Sequence, residues 1–164
     1  MIQFEITREM ILAAKKESRE YSDKLKNSIT LGAGTTAGII SEIHFSSHFI
    51  GSKRVRSYSH DLEYKGMSIE IKTKRRTVPP EPNYFVHIAE SSKHQMNEKT
   101  YYVFYSLNSK SRTGHLCGYI SSIDFFKKAV FFKTGEDMEG LVAKTNCYAM
   151  RISDLNELKE SEGI

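Results

Sequence analysis

From Ser68 to Lys74 the chain alternates: Ser68, Glu70, Lys72 and Lys74 point one way, and Met67, Ile69, Ile71 and Thr73 the other. That is the period-two pattern of a half-buried strand. Before it, Leu62 and Tyr64 alternate with Asp61 and Glu63, and Lys65-Gly66 between the two runs is a turn signal. The pair reads as a β-hairpin that sets Glu63 opposite Ser68 and Asp61 opposite Glu70. Upstream the period lengthens. Thr7 is placed to cap a helix over residues 8–27, with Met10, Ile11, Ala14, Tyr21 and Leu25 on a broken apolar stripe. Gly32, Gly34, Thr35 and Thr36 interrupt it. A second helix is expected over residues 37–49, with Ile39, Ile40, Ile43 and Phe49 supplying its core side and Glu42 beside that buried surface.

Downstream, the Val-Pro-Pro-Glu-Pro run at 78–82 can neither sustain a helix nor serve a central ladder, so it reads as a stiff loop. A strand follows at 83–89, then a short helix or turn over 90–99. Residues 100–107, Thr-Tyr-Tyr-Val-Phe-Tyr-Ser-Leu, are almost continuously apolar or aromatic and predict a central strand covered on both faces. The polar tip at 108–114 offers Lys110 and Arg112 to phosphate. The tail reads as a strand at 115–121, a short helix from 122 or 123 to 129, a loop through 135–140, a strand near 148–152 and a terminal helix capped by Ser153. The predicted class is α/β, with helices around a mixed central sheet.

At 164 residues the chain has the length of a single domain. No uninterrupted apolar run of about 18 residues is present, which argues against a membrane span. The start, Met-Ile-Gln-Phe-Glu-Ile-Thr-Arg, lacks the basic, apolar and small-residue regions of a secretory signal, so a cytoplasmic location is expected. Cys117 and Cys147 are the two cysteines, and both read as small buried hydrophobes without a disulfide.

Charge changes the picture more. The net charge is +4, the pI is near 9.0, and the cations cluster. Lys53, Arg54 and Arg56 precede the first acidic strand, while Lys72, Lys74, Arg75 and Arg76 belong to or follow the second. Both clusters flank the facing acids, where phosphates of a polyanion would bind. Solvated surface charge is the plainer alternative.

The facing acids carry the candidate chemistry. Directly opposed side chains on a hairpin stand about 4.5–5.5 Å apart at Cβ, and like charges so placed repel unless a cation offsets them. Oxygen ligands without His or Cys at matching spacing favour a hard ion such as Mg²⁺ over zinc. Charged residues at alternate positions also occur on any solvent-facing hairpin. His44 and His48 have helical i, i+4 spacing but lack the acid of a zinc-protease helix. Gly32-Ala-Gly34 lacks the remaining residues of a phosphate-cradling loop, and no Gly-x-Ser-x-Gly nucleophile motif is present.

A Gly38-x-x-x-Glu42 helix, then Gly51, Asp61, Glu70-Ile-Lys72 and a segment with Lys93 and Gln95 before another strand resembles the PD-(D/E)XK, or restriction-endonuclease-like, nuclease superfamily. The likeness covers roughly residues 38–107. Its order is similar to that of the Holliday-junction resolvase branch and of small phage-encoded nucleases. Two departures are His60 where a proline would precede Asp61, and a tail from Gly114 onward that the branch does not explain. The resemblance implies a single nuclease domain over 1–164. Its core would lie at about 37–107, behind an N-terminal helix at about 8–27 and before a C-terminal α/β extension at about 114–164.

The resemblance also implies a Mg²⁺-dependent endonuclease, with Mn²⁺ as an alternative ion, that hydrolyses DNA; RNA stays open. Asp61, Glu70 and the Ile71 carbonyl would ligate the metal, and Glu42 would hold a second ion or a metal-bound water. Lys72 would sit beside the attacking water, and Gln95 or Lys93 would position the nucleophile or a phosphate. Lys53, Arg54, Arg56, Lys74, Arg75, Arg76 and Lys93 would contact nucleic acid. Three rival readings remain: a structure-selective junction resolvase, an inactive nucleic-acid-binding module of the same fold, and a structural or protein-interaction protein with a fortuitous motif. Paired cuts would call for a homodimer, for which Phe125, Phe126, Phe131 and Phe132 offer apolar surface, although ordinary core is an equal reading of them.

Overall fold

The structure, a computed structural model, describes residues 1–22, 35–55 and 60–158, the side chains of Tyr21, Ser22, Thr35 and Gln95 excepted. The predicted hairpin is formed by Leu62–Tyr64 (β3) and Met67–Arg75 (β4), with Leu62 opposite Ile69 and Glu63 opposite Ser68. Lys65 and Gly66 have φ of 48° and 78°. Two successive left-handed residues make the two-residue turn whose twist matches that of the strands. Just beyond the ladder the Asp61 amide donates to the Ile69 carbonyl at 3.0 Å, which ties Asp61 to the edge of β4.

Lys53–Arg54 (β2) continues the antiparallel meander on β3, and β4 pairs in parallel with Thr100–Asn108 (β6). Thr113–Ser121 (β7) runs antiparallel to β6, and Ile2–Glu5 (β1) antiparallel to β7. The mixed six-stranded sheet has the order β1-β7-β6-β4-β3-β2. β6 is interior, as its apolar run predicts, with Val103, Tyr105 and Leu107 buried on one face and Tyr102, Phe104 and Ser106 on the other.

Parallel strands need a crossover, and this one leaves the sheet. Phe85–Ala89 (β5) and a 3₁₀ turn at Glu90–Gln95 carry it. β5 lies in a second sheet of order β5-β9-β8, with Val130–Phe132 (β8) and Cys147–Arg151 (β9).

Arg8–Ser22 (α1) starts where expected, with Thr7 Oγ1 accepting from the Met10 amide at 3.2 Å. Of the predicted helix, residues 23–27 lie outside the described residues. Thr35–His48 (α2) is buried on two sides: Ile39 and Ile40 pack with Ile6, Ala14 and Leu107, while Phe45, with Phe49 just past the helix, packs on Leu62, Tyr64, Ile69 and Ile71. Ser122–Lys128 (α3) is capped by Ser121, whose Oγ accepts from the Asp124 amide at 3.1 Å. Phe125 from α3 joins Tyr102, Phe104, Val86 and Ile88 in the core between the two sheets.

Two expectations about the tail change. Ser153 caps no helix: Ile152–Asp154 is a 3₁₀ turn, and Asn156 then bridges Tyr119, with residues beyond 158 outside the described residues. That crossing needs Gly118, whose φ is 149° and where a Cβ would fall 2.7 Å from the Asn156 carbonyl oxygen. The phenylalanine group is largely core. Phe125 is fully buried and Phe132 packs against Phe85, which leaves Phe131 as the exposed large apolar side chain of the four. Cys117 and Cys147 are buried free thiols, as read from the sequence. Among the described residues no helix is long and apolar enough to cross a membrane.

Candidate active site

β3 is three residues long, so its ladder ends where Asp61 begins. The Asp61 carboxylate takes over from the ladder: Oδ2 accepts from the Ile71 amide at 2.7 Å. Glu70 and Lys72 project from the same face of β4, and Lys72 Nζ donates to Glu70 Oε1 at 2.9 Å. Both side chains are largely covered, at 13% and 25% exposure for Glu70 and Lys72. Lys72 also lies over the Tyr102 ring, 5.9 Å from its centroid. The hairpin thus gathers Asp61, Glu70 and Lys72.

Electrostatics bear out the crowding of acids. Burial, then the charges of Glu70 and Glu42, push the Asp61 carboxyl up to about 8, against the opposing pull of the Ile71 amide and Lys72. Burial and then Glu70 push the Tyr102 phenol up to about 12. An excess of negative charge beside one lysine is the setting a divalent cation relieves.

Glu42 is where the helix prediction put it, but it is engaged. Arg54 donates to Glu42 Oε2 through Nε at 3.1 Å and Nη2 at 2.7 Å, and to both Glu17 oxygens at 3.1 and 2.8 Å. Burial holds the Glu42 carboxyl above its ordinary pKa in spite of Arg54. Arg54 therefore departs from the phosphate-binding role expected of it, because its guanidinium is consumed by two acids. Glu17 was not foreseen; its place in a charged, exposed helix face gave no signal that it would turn toward β2.

The residues fit a hard cation in part. Asp61 and Glu70 are near enough for the charge of one to act on the other, and Asp61 has one oxygen that the Ile71 bond does not use. Among the described residues, however, no group of three or more His, Cys, Asp or Glu side chains stands close enough to hold an ion. Glu42, whose charge reaches Asp61, is ion-paired with Arg54 at 2.7 Å.

The other expected residues divide. Lys53 is exposed on β2, and Arg56 lies outside the described residues. Lys93 donates to the Tyr148 hydroxyl at 3.3 Å and lies 5.2 Å from its ring centroid. The Gln95 side chain is outside the described residues. Lys74, Arg75 and Arg76 line a groove at the end of β4 with Lys110. The histidine pair has a structural setting: His44 Nδ1 lies 3.1 Å from the Tyr105 hydroxyl and its ring stacks on Phe4 at 3.6 Å. Burial pulls His44 down to about 4, so it is neutral at pH 7.

No protein family, no curated protein and no solved structure matches the chain. The fold and site therefore define a mixed α/β protein with paired acids on a hairpin.

Proposed function

We propose that the protein is a Mg²⁺-dependent nuclease of the PD-(D/E)XK type that hydrolyses phosphodiester bonds of DNA at Asp61, Glu70 and Lys72. One observation carries the reading: the Asp61 carboxylate, bonded to the Ile71 amide, sits close enough to Glu70 to feel its charge and is held up to about 8 by burial and its acidic neighbours, while Lys72 contacts Glu70. The order of elements supports it as well. A helix with Glu42, β3 beginning just after Asp61, β4 with Glu70 and Lys72, and the parallel β6 follow in the order the resemblance implies, with a 3₁₀ turn at Glu90–Gln95 where it implies a helix.

Asp61 and Glu70 would hold the ion, with the Ile71 carbonyl as the further ligand the resemblance suggests. Bound there, Mg²⁺ supplies polarisation of a phosphoryl oxygen and a water acidified toward neutral pH. Asp61 would have to give up its proton to hold the ion. Lys72, in contact with Glu70, would carry positive charge toward the phosphoryl oxygens as negative charge develops there. The Ile71 amide fixes the Asp61 carboxylate, and Arg54 keeps Glu42 turned to Glu17. That arrangement favours one ion over two.

A second reading has its own observation. The Lys72–Glu70 and Arg54–Glu42 ion pairs partner two of the three acids without a metal, as a nucleic-acid-binding module lacking catalysis would. Incubation of plasmid, linear and branched DNA with and without Mg²⁺ separates the two. Metal-dependent cuts that vanish in Glu70→Gln support the nuclease, while binding without any cut supports the module.

A further inference from the structure

Beyond Lys72, β4 continues on the same face with Lys74 and, just past its last residue, Arg76. Both are half-buried. Burial lowers the pKa of each, and the charge of Arg76 lowers Lys74 further. Among the described residues no carboxylate forms an ion pair with Lys74, Arg75, Arg76 or Lys110. Arg76 donates from Nη2 to the Phe85 carbonyl at 3.2 Å and lies 4.8 Å from the Tyr84 ring centroid, yet its Nε is buried with no hydrogen-bond partner. These four cations line one groove of about 520 Å³ whose walls contain no Asp or Glu. Half-buried charges of one sign without a counter-ion are costly, and an anion entering the groove offsets that cost.

The groove has apolar rims. Val78 is 50% exposed and Leu141 44% exposed, and Pro79 and Pro80 stiffen the wall behind Val78. A duplex turns its phosphates outward and stacks its bases inward, so these rims find no partner on it. A single strand exposes base faces, and grooves that combine a cationic floor with apolar or aromatic contacts take such strands. The way in is open. β3 pairs with β4 only at Met67–Ile69, so among the described residues the β4 edge from Lys72 onward has no strand partner. From Glu70 to Arg76 the strand advances about 20 Å, roughly the rise of six nucleotides.

We propose that this groove binds a single-stranded polynucleotide segment leading away from the reacting phosphate, which selects substrates with a single-stranded arm over blunt duplex. The inference rests on the nuclease reading for the position of that phosphate, and its test does not.

Fluorescence anisotropy in chelator, where metal-dependent cleavage is blocked, compares labelled oligothymidylate of about 20 nucleotides, longer than a typical single-strand site, with blunt duplex DNA of equal length. Oligothymidylate is expected to bind at least about tenfold tighter, a difference of about 1.4 kcal/mol. Arg75→Ala with Lys110→Ala removes two exposed cations and should lower the salt slope on the single strand by about 1.4, or 0.7 for each lost contact. Val78→Ser with Leu141→Ser should weaken single-strand binding and leave the duplex unchanged. Circular dichroism confirms that these surface variants fold. Duplex binding as tight as or tighter than the single strand, no single-strand binding, or an equal loss on both probes in the rim variant overturns the proposal. None of these variants touches Asp61 or Glu70. Cleavage that depends on Glu70 without single-strand preference defeats the groove alone, and single-strand preference without cleavage defeats the nuclease alone.

Discussion

Asp61→Asn should stabilise the metal-free protein at neutral pH, and increasingly so as pH rises. The wild-type carboxyl is raised from 3.8 to about 8 in the fold. Between those values the folded chain retains a proton that the unfolded chain releases. Stability from this group is therefore complete below the unfolded pKa and is lost as pH climbs toward the folded one. The limiting slope is about 1.4 kcal/mol per pH unit. From pH 5 to pH 7 the wild type loses about 2–3 kcal/mol relative to the variant, a gap of about 5–10 °C in Tm for a chain of this size. Asn cannot ionise but keeps an oxygen for the Ile71 amide. His44, held at about 4, titrates with the opposite slope in both proteins and cancels in the difference. Thermal unfolding in chelator at pH 5, 6 and 7 measures it. Mg²⁺ should then raise the wild-type Tm more than that of the variant, since only an ionised Asp61 adds charge to the site. Parallel Tm curves for the two proteins would refute a buried, crowded Asp61.

Lys72→Ala should lower cleavage far more than Mg²⁺ affinity, read by single-turnover rates against metal titration; loss of metal binding alone would contradict its assigned place beside the reacting phosphate. Arg54→Ala leaves Glu17 and Glu42, 18% and 19% exposed, facing each other without a cation. It should cost about 2–4 kcal/mol in urea unfolding, whereas an unchanged midpoint would mean the triad contributes nothing. On single-stranded DNA, Arg75→Ala with Arg76→Ala should flatten the salt dependence of binding by up to about 0.7 per lost phosphate contact without changing sequence preference, and an unchanged slope would dismiss this cluster. Phe125→Ala should cost about 3–5 kcal/mol as a core cavity and leave sedimentation unaltered; a shift from dimer to monomer with stability intact would instead restore the tail aromatics as an interface.

Much of the hairpin was legible because period-two alternation and a Lys-Gly turn are local signals. They place Leu62, Tyr64, Ile69 and Ile71 inward and Glu63 opposite Ser68 with no knowledge of the remaining chain, while the expected Asp61–Glu70 pair falls just past the observed ladder. β6 was legible for a similar reason, since only a strand covered on both faces tolerates its run of aromatics. The second sheet was not, because β5 and β9 are paired across more than fifty residues, and nothing in the run at 83–89 says which sheet it will join. Long-range pairing also hid the ion-pair triad. Arg54 was grouped with Lys53 and Arg56 by adjacency, but strand alternation turns Arg54 toward α1 and α2 while Lys53 faces out, and the carboxylates that meet it come from two different helices. The groove was half visible: Lys74, Arg75 and Arg76 are contiguous, and Lys110 joins them only because β4 and β6 run in parallel and end together.

The most direct test of the proposed function is the single-turnover cleavage rate of DNA in Mg²⁺ for wild-type protein and Glu70→Gln prepared identically. Loss of the metal's contribution, several kcal/mol of transition-state stabilisation, should slow the variant by at least about a hundredfold, while its DNA affinity in chelator is unchanged or higher because a negative charge beside the phosphate is gone. Equal rates in the two proteins, or no Mg²⁺-dependent cleavage by the wild type on any of plasmid, linear or branched DNA, would contradict a nuclease built on Asp61, Glu70 and Lys72.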